Sequence, residues 1–433
     1  MSETNASRYE KLWQAIEKAG SVNAYVREQM QQNGFMVVRR PTDNMAKAEL
    51  EKYRQELKKE ATEQRRLNKE AWQAYQAKHI VHLGEGIYWS DDTSEDQWDA
   101  PNANKRLLEN QLPAITKVAQ LCEALNVSVS ELRWLCYQRE VAPKSHYTRF
   151  EIPKRSGGMR AIWAPLPKLK QVQHWILHHI LDNLVVHGSA HGFISGRSIA
   201  TNAAEHTNSQ LLVKVDIENF FPSISWKRVK GVFRKAGYPE QIATLLALLC
   251  TESPREIVEH EGKQVYVALA DRCLPQGAPT SPALTNALCL RLDRRLTGFA
   301  QKAGWRYTRY ADDLTFSLPT NSKNKPEISR LLGTLKRVLG EEGFALNAKK
   351  TRVIRNGDVQ EVTGLVVNGE KTPRVSRELK RQMRAAVHNL KQGKALPEGE
   401  SLPRLRGYAA YIAMTDRELG HNLLNQLQQV QGA

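Results

Sequence analysis

Two adjacent carboxylates, Asp312 and Asp313, sit inside "RYADDLTF" (309–316). Neighbouring like charges repel, and acids are depleted from strands, so a strand-forming context for them needs a reason. The flanking runs "WRYTRY" (305–310) and "LTFSL" (314–318) are rich in β-branched and aromatic residues and predict a hairpin with the acids at its tip. A third acid, Asp216, follows the apolar run Leu211–Val215, which only Lys214 interrupts. An acid at the carboxyl end of a buried strand is where α/β proteins put chemistry. Taken alone it is equally a turn or capping aspartate. Three carboxylates on neighbouring strands become tolerable when divalent cations neutralise them. Hard oxygen ligands suit Mg²⁺, which keeps several waters and takes further ligands from substrate phosphates. Two such ions about 4 Å apart clamp the attacking and leaving oxygens of an in-line displacement at phosphorus. By average composition, a chance Tyr-x-Asp-Asp in 433 residues has a probability of roughly 3%, so the constellation is the stronger signal.

The rest of the chain must position these acids. Its length allows a large core and about two or three domains, and 41% hydrophobic residues make it mostly folded. A net charge of +17 suits a phosphate-rich partner, with a plain solubility surplus as the bland alternative. Cys122, Cys136, Cys250, Cys273 and Cys289 form no Cys-x-x-Cys pair, which argues against zinc and a disulfide framework and fits a reducing cytoplasm. "MSETNASRYEKLW" has no apolar core of a secretory signal. The most apolar run, "IATLLALLC" (242–250), is too short to span a bilayer and reads as a buried helix.

Residues 1–110 are polar. Residues 45–78 lack Gly and Pro and alternate in charge around a sparse stripe, Leu50, Tyr53, Leu57, Ala61, Leu67, Ala71 and Tyr75. That pattern predicts a long solvated helix with one packing face, either a plain surface helix or an arm for RNA or a partner. The acidic, turn-rich 90–105 reads as a linker. Residues 112–137 read as two short helices, the second capped by Ser128 or Ser130. Residues 146–181 read as strand, Gly-Gly turn, strand, Pro-bounded loop and amphipathic helix. Within them Lys154, Arg155, Arg160, Lys168 and Lys170 occur with no acid across 154–170, a basic hairpin able to lie against a triphosphate or strand. Ser225 reads as a helix N-cap. Near the end, "PRVSRELKRQMRAAVHNLKQG" (373–393) spaces Arg377, Lys380, Arg381, Arg384, His388 and Lys391 onto one helical face. Residues 371–433 hold eleven Lys/Arg against five Asp/Glu, which suits a duplex backbone. Residues 402–414 read as a second helix there, and "EVTGLVVN" as strand, turn and strand.

On these residues the chain resembles the reverse transcriptases. "VDIENFF" around Asp216, "LPQGAPTSPALTN" (274–286), "YADD" and "LNAKKTRV" (346–353) look like motifs A to D, in the family's order, and the resemblance runs from about 113 to 433. More narrowly it resembles bacterial retron enzymes, whose Asn-Ala-x-x-His and Val-Thr-Gly elements match "NAAEH" (Asn202–His206) and "VTG" (Val362, Thr363, Gly364). "AHGFISGRSI" (190–199) and "IPKRSGGMRAIWAP" (152–165) look retron-like too. The first 110 residues resemble the extension of longer retron members.

The resemblance implies an α+β right-hand polymerase of fingers, palm and thumb with a helical N-terminal extension. It divides the chain into an extension (1–110), fingers and palm (111–360), and a primer-grip segment with helical thumb (361–433). It implies that Asp216 and Asp312 are the main ligands of two Mg²⁺ ions, Mn²⁺ being a substitute, with the Ile217 carbonyl and Asp313 contributing. Phe221 matches the steric gate that excludes a 2′-hydroxyl, while Phe220 reads as core. Gln276 and Gly277 match the segment behind the incoming dNTP, and Lys154 and Arg160 the pair on its triphosphate. Lys350 matches the lysine that protonates pyrophosphate, with Lys349 as the alternative. Asn202, His206, Val362, Thr363 and Gly364 are implied in recognising nucleic acid, alongside Arg377, Lys380, Arg381 and Arg384 in the thumb. Read from its own neighbours, His206 is a helix residue with a local hydrogen bond.

The function expected is RNA-directed DNA synthesis on a cognate noncoding RNA that is both template and primer. Initiation from an internal guanosine 2′-hydroxyl would give branched RNA-linked DNA. Anti-phage defence, a separate effector chain and host RNase H belong to the same expectation, as does a cytoplasmic protein without a membrane partner. Two alternatives stand beside it: a bacterial reverse transcriptase with other priming, and a ribonucleoprotein scaffold that sequesters an effector.

Overall fold

The computed structural model describes residues 5–87, 102–154, 157–322, 327–369, 372–397 and 399–429. Arg155 and most of the 90–105 linker lie outside the described residues. Residues 1–83 with 122–134 form one compact unit, and 84–121 with 135–433 form another.

In the first unit, α1 (Asn5–Lys18) and α2 (Val22–Gln32) precede α3 (Lys47–Gln76), one helix of 30 residues. No residue of α2 or α3 is buried, and for α3 the sparse apolar stripe predicts this. Two contacts hold α3 to the segment before it: Tyr53 Oη accepts from the Arg40 amide at 2.7 Å, and Asn68 donates to the Gly34 carbonyl at 2.9 Å.

Further along lie the short helices α4 (Ala103–Glu109), α5 (Val118–Leu125) and α6 (Val129–Cys136). The cap of α6 is Ser128: its hydroxyl accepts from the Glu131 amide while Glu131 accepts from the Ser128 amide.

The second unit carries the sheets, all antiparallel. After β1 (Val141–Ala142), the basic segment folds as the hairpin β2 (Tyr147–Pro153) and β3 (Met159–Pro165). Pro167 then starts α7 (Pro167–His179), and α8 (Ile199–Ala204) follows. Strand β4 (Ser209–Glu218) leads to α9 (Trp226–Ala236), with Ser225 at its N-cap position, and to α10 (Glu240–Cys250), which is buried except at Gln241. A second hairpin, β5 (Arg255–His260) and β6 (Lys263–Ala268), pairs with β1. Next come α11 (Ser281–Leu288), α12 (Leu290–Ala303), β7 (Arg306–Tyr310), β8 (Asp313–Pro319), α13 (Ile328–Glu341) and β9 (Ala345–Arg355). The central sheet has the order β7-β8-β4-β9, so β4 is an interior strand, which explains its apolar run.

The C-terminal part opens with the small hairpin β10 (Glu361–Val362) and β11 (Leu365–Val366). Three helices follow: α14 (Arg377–Lys391), α15 (Leu402–Ala413) and α16 (Arg417–Gln429). The last was not anticipated. Leu423 and Leu427 of α16 join Met383, Val387, Leu405, Ile412, Val362 and Leu212 in one buried cluster, so these helices share a core with the central sheet. All five cysteines are buried free thiols. No helix among the described residues is long and apolar enough to cross a membrane.

Candidate active site

The three aspartates meet at one end of the central sheet. Asp216 on β4 stands opposite Asp313 on β8 in the antiparallel ladder, and the Ile217 amide donates to the Asp312 carbonyl at 3.0 Å. On the other side of β4 the pairing with β9 is irregular. The partner of Lys214 is Arg352, but that of Asp216 is Asn347. The residues displaced by this irregularity return Lys350 to the acids, with its Nζ 2.8 Å from Asp216 Oδ2. Lys349 is exposed, its carbonyl accepting from Arg352, so Lys350 is the lysine brought to the acids. Asn347 Nδ2 donates to the other oxygen, Oδ1, at 3.1 Å. Sequence reasoning missed Asn347, although the Asn-x-x-Lys spacing could have pointed to it.

Burial first, and then the Asp313 charge, push the Asp312 carboxyl up to about 6. Asp313 is also raised by burial, against the opposing pull of Lys214. Lys350 is held above the ordinary lysine range by its bond to Asp216. Among the described residues no three His, Cys, Asp or Glu side chains close into a ready-made cation cage. Mg²⁺ does not require one, since one or two carboxylates with substrate phosphates and waters complete its shell. The all-oxygen donor set and the mutual repulsion of the acids fit such an ion.

Phe220 is buried against Phe344, with ring centroids 5.5 Å apart, whereas Phe221 is partly exposed beside it. Phe220 is thus the core member of the pair. Gln276 is partly buried, and its carbonyl accepts from the Trp163 amide of β3 at 2.7 Å. Gly277 has φ +124°, and a Cβ there would meet the Trp163 carbonyl oxygen at 2.7 Å. The close approach it permits in this structure is therefore to β3. Lys154 and Arg160 are exposed on the β2–β3 hairpin, where Arg160 pairs with Ile152 and the Lys154 amide donates to the Gly158 carbonyl.

The structure corrects the expectation that Asn202 and His206 touch nucleic acid, because both are buried. The His206 ring spans 2.8 Å to Ser317 Oγ and 2.7 Å to Thr308 Oγ1, so both ring nitrogens are engaged. Its side-chain bonds are long-range and it lies beyond the end of α8, while its backbone bonds are local, the amide donating to the Ala203 carbonyl at 3.0 Å and the carbonyl accepting from Ser209 Oγ at 2.9 Å. Val362 is likewise core. Thr363 donates to the Ile199 carbonyl at 3.1 Å, and the Gly364 carbonyl accepts from Tyr411 at 2.7 Å. The Val-Thr-Gly element therefore braces the start of α8 to α15.

Burial depresses His206 to about 3, and His191 to about 4. A folded value below the unfolded value near 6.5 gives stability that is present above pH 6.5 and lost as pH falls. For His206 the expected slope is about 1.4 kcal/mol per pH unit between pH 6 and 4. Thermal unfolding of the wild type and His206→Gln over this range checks it. A stability difference between them that does not shrink with falling pH contradicts a buried neutral ring.

In the C-terminal helices, Arg377, Arg381, Arg384 and His388 are exposed along α14 while Met383 and Val387 are buried. Lys380 is partly buried, its Nζ 2.7 Å from Asp416, and so ties α14 to the start of α16.

The end of the central sheet thus gathers three carboxylates, with a lysine on one of them. The family model described as reverse transcriptase (RNA-dependent DNA polymerase) matches residues 152–383. The chain is 45% identical over 427 residues to the retron Mx162 reverse transcriptase of Myxococcus xanthus, covering 96% of this chain and 88% of that one. It is 42% identical over 312 residues to the retron Mx65 reverse transcriptase of the same organism, covering 72% of this chain and 71% of that one. It is 32% identical over 326 residues to the retron Ec86 reverse transcriptase of Escherichia coli, covering 75% of this chain and 93% of that one. The chain belongs to the retron reverse transcriptases: it is an RNA-directed DNA polymerase with the right-hand fold.

Proposed function

We propose that this enzyme copies part of a cognate structured RNA from an internal guanosine 2′-hydroxyl, leaving branched RNA-linked single-stranded DNA. The observation that carries the polymerase chemistry is Asp216 facing Asp313 across the ladder, with Asp312 bonded through its backbone to Ile217 and Lys350 on Asp216. Asp216 and Asp312 act as the main ligands of two Mg²⁺ ions, with Mn²⁺ as a substitute, and Asp313 and the Ile217 carbonyl assist. When bound, the ions neutralise charge on the reacting phosphate and lower the pKa of the attacking hydroxyl. Asn347 and Lys350 orient the Asp216 carboxylate. Lys350 then hands a proton to the departing pyrophosphate. Lys154 and Arg160 hold the triphosphate, Gln276 and Gly277 back the base and sugar, and Phe221 excludes a ribose 2′-hydroxyl. Arg377, Arg381 and Arg384 track the backbone of the RNA–DNA hybrid, which is read by shape.

Residues 1–110 serve as an extension for RNA or a partner, 111–360 as fingers and palm, and 361–433 as primer grip and thumb. The biological reading is anti-phage defence in the cytoplasm with a separate effector, host RNase H trimming the template. The full-length similarity to the Mx162 enzyme supports the retron-specific part.

The test is to express the protein with its native flanking DNA, extract bound nucleic acid, and treat it with RNase, DNase and debranching enzyme. A discrete DNA is expected, shifted by debranching and missing from Asp312→Ala/Asp313→Ala. DNA indifferent to debranching removes the 2′-hydroxyl priming. Bound RNA without DNA in either preparation favours a scaffold role.

A further inference from the structure

Beneath the turn that carries Asp312 and Asp313 lies an ion pair with no exposure at all, Asp293 of α12 with Arg309 of β7. Arg309 Nε lies 2.9 Å from Asp293 Oδ1, and Nη2 lies 2.7 Å from Oδ2. Tyr307, two residues earlier on the same face of β7, donates to Asp293 Oδ1 at 2.8 Å. One nitrogen of the fork is turned elsewhere: Nη1 donates to the Ala311 carbonyl at 3.3 Å. Ala311 has φ +55°, a left-handed conformation that a residue with a Cβ adopts at a cost. The Arg309 backbone is pinned as well, its amide donating to Ser189 and its carbonyl accepting from His191, both at 2.8 Å. A buried pair of this kind adds little to stability over an apolar pair of equal volume, so its presence here calls for another use.

We propose that the Asp293–Arg309 pair is the positioning device of the catalytic turn. It holds Ala311 left-handed through its carbonyl and so sets where Asp312 and Asp313 stand relative to Asp216. Only a guanidinium fork can grip a carboxylate and a carbonyl at once in this geometry. The inference rests on the reading that these acids carry nucleotidyl transfer.

The test uses the full chain in primer extension on an RNA template, with Asp312→Ala/Asp313→Ala as control. Arg309→Lys keeps the buried charge opposite Asp293 and loses the second arm. It is expected to lower kcat by about 100-fold with KM for dNTP nearly unchanged, because misplacement by about 1 Å suffices for that loss. Adding Ala311→Gly, which takes the left-handed conformation freely, restores much of kcat. Asp293→Leu/Arg309→Met/Tyr307→Phe replaces the network by apolar groups and should keep the unfolding midpoint while kcat falls. Wild-type kcat in Arg309→Lys, or a loss that Ala311→Gly does not relieve, overturns the proposal. If the triple variant does not fold, the Arg309→Lys series decides alone. Synthesis that survives in the double-alanine control instead refutes the reading on which the inference rests.

Discussion

Asp312→Asn should cut DNA synthesis by about 10³-fold and, in EDTA at pH 8, raise the unfolding midpoint. The two effects share one cause. The Asp312 carboxyl is pushed up to about 6 by burial and by the charges of Asp313 and Asp216. Its folded value lies above its unfolded value, so the ionised group opposes folding above pH 6, and the penalty vanishes as pH falls below the unfolded value. Asparagine keeps the shape and removes that charge. On the proposed role of Asp312 it would also remove an oxygen ligand where charge develops on phosphate, so synthesis should fall by about 10³-fold, or about 4 kcal/mol of barrier. Asp313→Asn should do the same more weakly, because Lys214 already offsets part of its charge. Single-nucleotide incorporation and thermal unfolding, read on the same preparations, check both signs. A variant that is both inactive and less stable would mean that Asp312 holds the fold rather than the reaction.

The acids were legible in the sequence because strand patterning brackets them locally: an apolar run before Asp216, and aromatic and β-branched runs around Asp312 and Asp313. Choosing Lys350 over Lys349 needed the β4–β9 irregularity, which no local pattern encodes. Arg309 precedes the turn that carries Asp312 and reads as one more basic residue. Its partner Asp293 sits among arginines in "RLDRRL" and reads as surface charge. Only the fold buries both. His206 failed for a similar reason, since Thr308 and Ser317 reach it from strands about a hundred residues away. Helix α16 carries the weak helix formers Gly420, His421, Asn422 and Asn425, and is held by a few leucines that become core only against α14 and α15.

Gly277→Ala should detach the basic hairpin from the site without unfolding the enzyme. The loop before α11 meets β3 through backbone, the Trp163 amide donating to the Gln276 carbonyl at 2.7 Å. An alanine Cβ would lie 2.7 Å from the Trp163 oxygen and 2.8 Å from Ile162 Cγ2, at φ +124°. The backbone conformation costs about 1–3 kcal/mol for a residue with a Cβ. Relieving the overlap costs about 1–3 kcal/mol more. The β2–β3 pair is a two-stranded sheet, and such hairpins are marginal alone, so movement of the hairpin is the cheapest escape. Lys154 and Arg160 ride on that hairpin, which makes the expected signature a rise of at least about tenfold in KM for dNTP, the loss of roughly 1.4 kcal/mol or more of binding. The main unfolding transition should move little, and the Trp163 amide should exchange faster with solvent. A wild-type KM together with unchanged protection of Trp163 would show that the hairpin is held by contacts other than this one.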